Sequence, residues 1–317
     1  MTVGGFVKYF KESLSALTWY DGREINSMAL RLLQEIAGMP SYKVIVEPQL
    51  ELNADISQKL AEMTSSLALG RPLQYVMGYE NFCGYRFNVR EGVLIPRPET
   101  EELVRLILSD LKDVTDKIIN NVIGNNIGEN MRILDICTGS GCIAWSLAAE
   151  LKRSRVYGCD ISKRALEIAA LQNIPGTVSF FECDILGSNA KKTIIDAVGG
   201  TVDVIVSNPP YVCEQERAKM RPNVLDFEPS EALFVPDNDP LLFYRQIAGL
   251  AVSLLKDGGR LYFEVNERFA EQTAGMLNKM GFANITVVKD LFEKPRIVTA
   301  LRIEKYMNDR MLPSSQE

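Results

Sequence analysis

The stretch Val204-Ile205-Val206-Ser207-Asn208-Pro209-Pro210-Tyr211 places a side-chain amide directly after an apolar run and closes the run with two prolines. Proline fixes φ and lacks a backbone donor, so a buried strand must end here. That brings Asn208 to the strand's carboxyl edge, where open α/β sheets bind ligands. The chemistry such a site can do concerns another amide. An amide NH2 is a poor nucleophile because its lone pair is delocalised. The Asn208 side-chain oxygen and the Pro209 carbonyl together can accept both of its hydrogens. This fixes the nitrogen, favours its pyramidalisation and aims it at an electrophile. Tyr211 can pack its ring on the amide plane. No basic side chain is required, since the proton becomes acidic once the nitrogen is alkylated.

A second chemical element is Ile133-Leu134-Asp135-Ile136-Cys137-Thr138-Gly139-Ser140-Gly141-Cys142-Ile143-Ala144. An apolar strand runs into a glycine turn and then a helix. Glycine lets backbone approach a ligand closely, and a helix N-terminus offers unpaired N–H groups. The pattern fits a dinucleotide fingerprint as well as an S-adenosylmethionine loop. Asp160 ends the next strand, where a carboxylate can accept both ribose hydroxyls of an adenosine; it can equally cap the helix that begins near Ser162. Asp184 ends the strand after that, with Ile185 behind it. Its carboxylate can take an adenine's exocyclic amine while the Ile packs on the ring.

The elements that must position these residues follow from periodicity. From Arg132 the chain alternates strand and helix. Strands fit Ile133–Ile136, Arg155–Cys159, Val178–Cys183, Val202–Ser207, Gly259–Val265, Ile285–Lys289 and Ile297–Ile303. Helices fit Ile143–Lys152, Lys163–Asn173, Pro240–Leu255 and Phe269–Met280. Alternating βα units predict a mostly parallel sheet covered on both faces. The first 74 residues are helical instead. Ile25, Met28, Leu32 and Ile36 form one stripe, and a second helix is expected from a Ser57 cap to Gly70. Residues 75–95 have hairpin composition, with aromatic and β-branched residues broken by Gly78, Gly84 and Gly92. Asp113 to Asn130 is expected to be an exposed helix extension and a loop, and the end of the chain a polar tail.

Composition excludes several classes. The 317 residues contain no histidine, which removes Ser-His-Asp and Cys-His machinery and the commonest metal ligand. Six cysteines form no C-x-x-C pair, so free thiols in a reducing compartment are expected and no metal site. The net charge of −6 lacks the basic footprint of a generic nucleic-acid binder. No stretch approaches a membrane span, and Lys8 and Lys11 fall where a signal peptide needs its apolar run. A cytoplasmic protein is expected.

On the Asn208–Tyr211 and glycine-loop motifs, the chain resembles class I S-adenosylmethionine-dependent methyltransferases. More narrowly, it resembles the protein-glutamine methyltransferases that modify the Gly-Gly-Gln loop of peptide chain release factors (the HemK/PrmC family). Further marks are Arg71-Pro72-Leu73-Gln74-Tyr75, Gly78, Phe82, Ile95-Pro96-Arg97-Pro98-Glu99-Thr100-Glu101, Phe227-Glu228-Pro229, Ala232-Leu233, Asp257-Gly258-Gly259, Lys289-Asp290-Leu291 and Arg296. The resemblance implies a seven-stranded Rossmann-like domain of strand order 3-2-1-4-5-7-6 over residues 96–305. Ahead of it come a helical domain at 1–74 that docks the release factor and a hairpin linker at 75–95; a polar tail at 306–317 follows. It also implies roles. Cys137, Thr138, Gly139, Ser140 and Gly141 would cradle the methionine part of S-adenosylmethionine, with Asp160 on the ribose and Asp184 and Ile185 at the adenine. Asn208, Pro209, Pro210 and Tyr211 would bind the substrate glutamine, with Asn208, Pro209 and Tyr211 as the catalytic residues and Asn208 also bordering the cofactor. Arg97 and Glu99 are read either as a linker ion pair or as contacts to cofactor or substrate loop. The chain departs from the family's pattern at Phe234–Pro240, where a glycine-rich segment is usual, at Asn266, where a glycine is common, and in the Asn-rich insertion. Two other substrates share the motif: a ribosomal-protein glutamine, and amino groups of nucleic-acid bases, which the acidic charge disfavours.

Overall fold

A computed structural model describes residues 1–121 and 131–304, without the side chains of 112–121. It contains two compact units. One comprises Met1–Tyr79 together with Lys219–Glu228, the other Glu80–Ala218 and the chain from Pro229 onward.

The first unit is helical. It contains α1 (Val3–Ser13), α2 (Gly22–Ala37), α3 (Ser41–Val46), α4 (Ala54–Ala68) and α5 (Leu73–Met77). Phe6, Phe10, Leu32, Leu33 and Leu60 are fully buried at its centre. Helix α2 starts with a capping box: Asp21 Oδ1 accepts the N–H groups of Arg23 (2.7 Å) and Glu24 (2.8 Å), and Glu24 accepts the Asp21 N–H in return. Two expectations need correction. Helix α4 is capped by Asn53, not Ser57, because the Asn53 amide oxygen reaches the Ile56 N–H at 2.8 Å and starts the helix a turn earlier. The expected ribbon from Tyr75 begins instead with α5, which follows Pro72 and is ended by Gly78 at φ +82°. Burial of Leu73 and Tyr75 outweighs their strand composition. The ribbon itself is β1 (Tyr79–Phe82) and β2 (Tyr85–Asn88). Cys83 and Gly84 both have positive φ at the turn, the signature of a tight two-residue hairpin. In the segment Lys219–Glu228, a short helix (α10, Pro222–Leu225) is anchored to this unit by Arg221, which pairs with Glu24 at 2.7 Å and lies over the Tyr20 ring.

The second unit begins with α6 (Pro98–Asn121) and then alternates: β3 (Met131–Ile136), α7 (Cys142–Glu150), β4 (Ser154–Asp160), α8 (Lys163–Ala170), β5 (Val178–Glu182), α9 (Ala190–Val198) and β6 (Val202–Ser207). After two-residue strands β7 (Val212–Cys213) and β8 (Phe234–Val235) come α11 (Leu242–Leu254), β9 (Leu255–Glu264), α12 (Ala270–Lys279), β10 (Ala283–Lys289) and β11 (Pro295–Leu301). The seven-stranded sheet has the order β5-β4-β3-β6-β9-β11-β10. Strands β5, β4, β3, β6 and β9 run parallel, and β11 alone is reversed, pairing antiparallel with β9 on one side and β10 on the other. This is the order 3-2-1-4-5-7-6 expected for a class I methyltransferase. Chain direction across the sheet reverses between β3 and β6, the switch point at which such sheets open a crevice. Helix α6 carries the first part of the Asn-rich stretch, to Asn121; residues 122–130 and the expected polar tail lie outside the described residues.

Candidate active site

The glycine loop is shaped by backbone conformations that side chains resist. Cys137, Gly139 and Gly141 have φ of +61°, +53° and +78°. Gly141 has no room for a Cβ, which would sit 3.0–3.1 Å from Trp145, Ala169 and Phe180. At Gly139 a Cβ would meet nothing within 4 Å, so the loop's outer face is open. Thr138 anchors the turn: its N–H donates to the Cys159 carbonyl (3.0 Å) and its hydroxyl to Asp135 Oδ2 (2.6 Å). Burial pushes the Asp135 carboxyl up to about 7, against the lowering effect of that Thr138 bond.

Asp160 is built into this loop. Its Oδ2 accepts the Gly139 N–H and its Oδ1 the Ser162 N–H, both at 2.9 Å. Burial raises its pKa, and the Ser162, Gly139 and Ile161 N–H groups oppose the rise. The cap of α8 is the Ser162 side chain, which accepts the Ala165 N–H. At the next strand end, Asp184 accepts the Leu186 N–H at 2.9 Å.

A cavity of about 210 Å³ opens here, far more than the roughly 10–15 Å³ a water needs. Cys137, Thr138, Gly139, Ser140, Asp160, Asp184, Ile185, Asn208 and Pro210 all line it. Gly141, Pro209 and Tyr211 are not among its lining residues. Arg97 is a lining residue, so at least that member of the Arg97/Glu99 pair faces the cavity.

Behind Asn208 lies a buried polar chain. Asn208 Nδ2 donates to Thr100 Oγ1 at 3.3 Å, Thr100 donates to Glu264 Oε2 at 2.6 Å, and the Tyr211 hydroxyl donates to Glu264 Oε1 at 3.2 Å. Burial raises the Glu264 pKa, against the Thr100 hydroxyl, Arg296 and Tyr211. Tyr211 is also pushed up, by burial and then by the Glu264 charge. Sequence reasoning missed Thr100 and Glu264 as site residues. Glu264 left a signal: it is a carboxylate inside the apolar run Leu261–Val265, and a buried charge there demands partners. Ile161 and Phe243 also line the cavity unanticipated; Ile161 is 58% exposed at its rim.

Two of the three departures from the family pattern, Asn266 and Phe234–Pro240, have structural roles. Asn266 Nδ2 lies 3.2 Å from the Tyr211 carbonyl and from Glu216, and its oxygen accepts the Arg268 N–H, so it pins the loop after Asn208. In Phe234–Pro240, β8 pairs with β7, and the Arg217 guanidinium stacks 3.9 Å from the Phe234 ring centre.

The methyltransferase small domain family matches residues 110–225. A release factor glutamine methyltransferase of Bacteroides thetaiotaomicron is 39% identical over 297 residues, covering 93% of this chain and 98% of that one. The chain belongs to the release factor glutamine methyltransferase family. A second family member, from Flavobacterium psychrophilum, is 37% identical over 302 residues, covering 94% and 98%. A solved release-factor-specific protein-(glutamine-N5) methyltransferase from Alicyclobacillus acidocaldarius aligns at 26% identity over 66% of this chain and 94% of that chain, with a TM-score of 0.37. By its curated relatives the chain is a methyltransferase, and its own sheet has seven strands. Among the described residues, no helix is long and apolar enough to cross a membrane, and no cluster of acidic or cysteine side chains could hold a metal ion. All six cysteines are free thiols.

The cavity suits the cofactor such enzymes use. The open side of Gly139 leaves backbone accessible, the half-buried Asp160 offers remaining lone pairs to hydroxyls, and exposed Ile161 provides an apolar cover for a flat ring. Carboxylates at Asp160, Asp184 and Glu231 in the lining favour a cationic ligand.

Proposed function

We propose that the enzyme transfers a methyl group from S-adenosylmethionine to the side-chain amide nitrogen of the glutamine in the Gly-Gly-Gln motif of peptide chain release factors. Membership of the family supports this reading, and the observation that carries it is Asn208, held by Thr100 at the wall of the cavity that the glycine loop and Asp160 frame. When bound, the cofactor supplies an electrophilic methyl on a sulfonium. The protein's own residues bind and orient. Cys137 to Gly141 cradle the methionine part, Asp160 accepts the ribose hydroxyls, and Asp184 and Ile185 hold the adenine. The Asn208 oxygen and the Pro209 carbonyl accept the two amide hydrogens, Pro210 closes the cavity wall, and Tyr211 packs on the amide plane. Catalysis is then mainly positioning in a water-poor cavity.

The helical unit is the docking surface for the release factor, and the enzyme works in the cytoplasm, where that partner is made. A labelled methyl-transfer assay offering intact release factors, ribosomal proteins and duplex DNA side by side tests the substrate. Label entering only a ribosomal protein or DNA would replace the reading.

A further inference from the structure

The chain Asn208–Thr100–Glu264 has a consequence for which way the Asn208 amide faces. The oxygen and nitrogen of an Asn amide have nearly the same shape, so the partner decides the orientation. Glu264 is 1% exposed, its two oxygens accept the Thr100 and Tyr211 hydroxyls, and these bonds together with the Arg296 charge favour the ionised carboxylate, which only accepts hydrogen bonds. Thr100 has one hydroxyl proton and places it on Glu264 at 2.6 Å. Its oxygen therefore offers only lone pairs to Asn208, which must turn its NH2 toward Thr100, as the 3.3 Å contact requires. The Asn208 oxygen is then left for the cavity, where the incoming amide needs an acceptor. In the flipped state, two NH2 groups would face each other.

We propose that Glu264, acting through Thr100, is a positioning residue that locks the Asn208 amide with its oxygen toward the substrate. This inference rests on the glutamine-methylating reading and goes beyond it, since that reading gives no role to Thr100, which lines the cavity, or to Glu264, which lies behind it.

Thr100→Val, which keeps the shape and removes the hydroxyl, should lower kcat on intact release factor at least tenfold. S-adenosylmethionine affinity should stay within about twofold. Thr100→Ser should recover most of the turnover, because it keeps donor and acceptor. In an Asn208→Ala background, Thr100→Val should cost nothing further, since there is no amide left to orient. If Thr100→Val fails to fold, Thr100→Ala carries the same expectations. A second readout needs neither cofactor nor substrate. The side-chain NH2 pair of Asn208, assigned by its loss in Asn208→Ala, should shift in the NMR spectrum of Thr100→Val and stay in place in Thr100→Ser. Wild-type turnover in folded Thr100→Val, equal costs in both backgrounds, or an unmoved Asn208 resonance would each overturn the lock. A wild-type enzyme that methylates no release factor would sink the substrate reading instead, and the NMR arm would still decide the lock.

Discussion

The Gly139 N–H donates to Asp160 Oδ2 at 2.9 Å, so the acid at the end of one strand holds the glycine loop at the end of its neighbour. Asp160 therefore has two tasks, shaping the loop and meeting the cofactor. Asp160→Ala should weaken S-adenosylmethionine binding by about 2–3 kcal/mol through lost charge-assisted hydrogen bonds. It should also speed hydrogen exchange at the Gly139 amide, which a role confined to the ribose would leave unchanged. Calorimetric titration checks the first effect; unchanged affinity in a folded variant would end the cofactor role.

Two glycines should respond to alanine with opposite signs. Gly141 combines φ of +78° with contacts at 3.0–3.1 Å on three sides, so Gly141→Ala should destabilise by about 2–4 kcal/mol from strain and overpacking together. Gly275 lies inside α12 with nothing within 4 Å of its would-be Cβ, so Gly275→Ala should stabilise by about 0.5–1 kcal/mol. Urea midpoints of the two variants test this, and a shared sign would contradict it.

Burial holds the Asp135 carboxyl up at about 7, against an ordinary value near 3.8. The folded state thus keeps a proton that the unfolded chain releases. This contribution to stability is fully present below about pH 4 and is lost as pH rises toward 7, by up to about 1.4 kcal/mol per pH unit. Glu264 and Asp160, also raised by burial, act in the same direction. Burial pushes Asp290 up, but the Lys294 and Phe292 N–H groups and Arg296 outweigh it and hold its carboxyl below the ordinary range. Its opposite effect is therefore confined to more acid solutions. Stability measured by denaturant between pH 5 and 8 should fall with rising pH, and Asp135→Asn should flatten the slope. An equal slope in the two proteins would rule out Asp135 as its source.

Sequence legibility followed how local each interaction is. Asp160, Asp184 and Asn208 were readable because each stands directly after an apolar strand, and strand ends in an alternating βα pattern converge on one edge. The Asn53 cap was obscured because Ser57, also a good capping residue, lies one turn further on. Helix α5 was hidden by aromatic and β-branched residues, although Pro72 and Gly78 bracket it as start and stop signals. The partnership of Thr100 with Glu264 spans 164 positions, and no local pattern records it. Likewise, nothing in Lys219–Glu228 announces that Arg221 pairs with Glu24.

Asn208 should separate turnover from cofactor binding. Asn208→Ala removes the acceptor for the substrate amide and should cut kcat by roughly 10²-fold while leaving S-adenosylmethionine affinity nearly intact. Asn208→Asp retains an oxygen acceptor but has no NH2 for Thr100, so intermediate activity is expected. Loss of cofactor binding with turnover preserved at saturation would refute the amide-orienting role.

Selection of one glutamine among many requires contacts beyond the amide, because every exposed glutamine presents the same group. The helical unit carries no catalytic motif, yet it displays a cluster of apolar side chains on α3. Tyr42, Ile45 and Val46 are 62%, 82% and 71% exposed. Adjacent exposed apolar residues of this kind mark interaction surfaces. If they meet the release factor, replacing Tyr42, Ile45 and Val46 together with serine should raise KM for the intact protein about tenfold or more. It should leave kcat and S-adenosylmethionine affinity unchanged, since the cofactor cavity lies wholly in the other unit. A short peptide containing Gly-Gly-Gln forfeits those remote contacts, so it should be an equally poor substrate for the wild-type and the triple variant. Steady-state kinetics on both substrates decides the matter: unchanged kcat/KM on intact release factor would remove α3 from the docking surface, and a matching loss on the peptide would mean that the substitutions act on the active site.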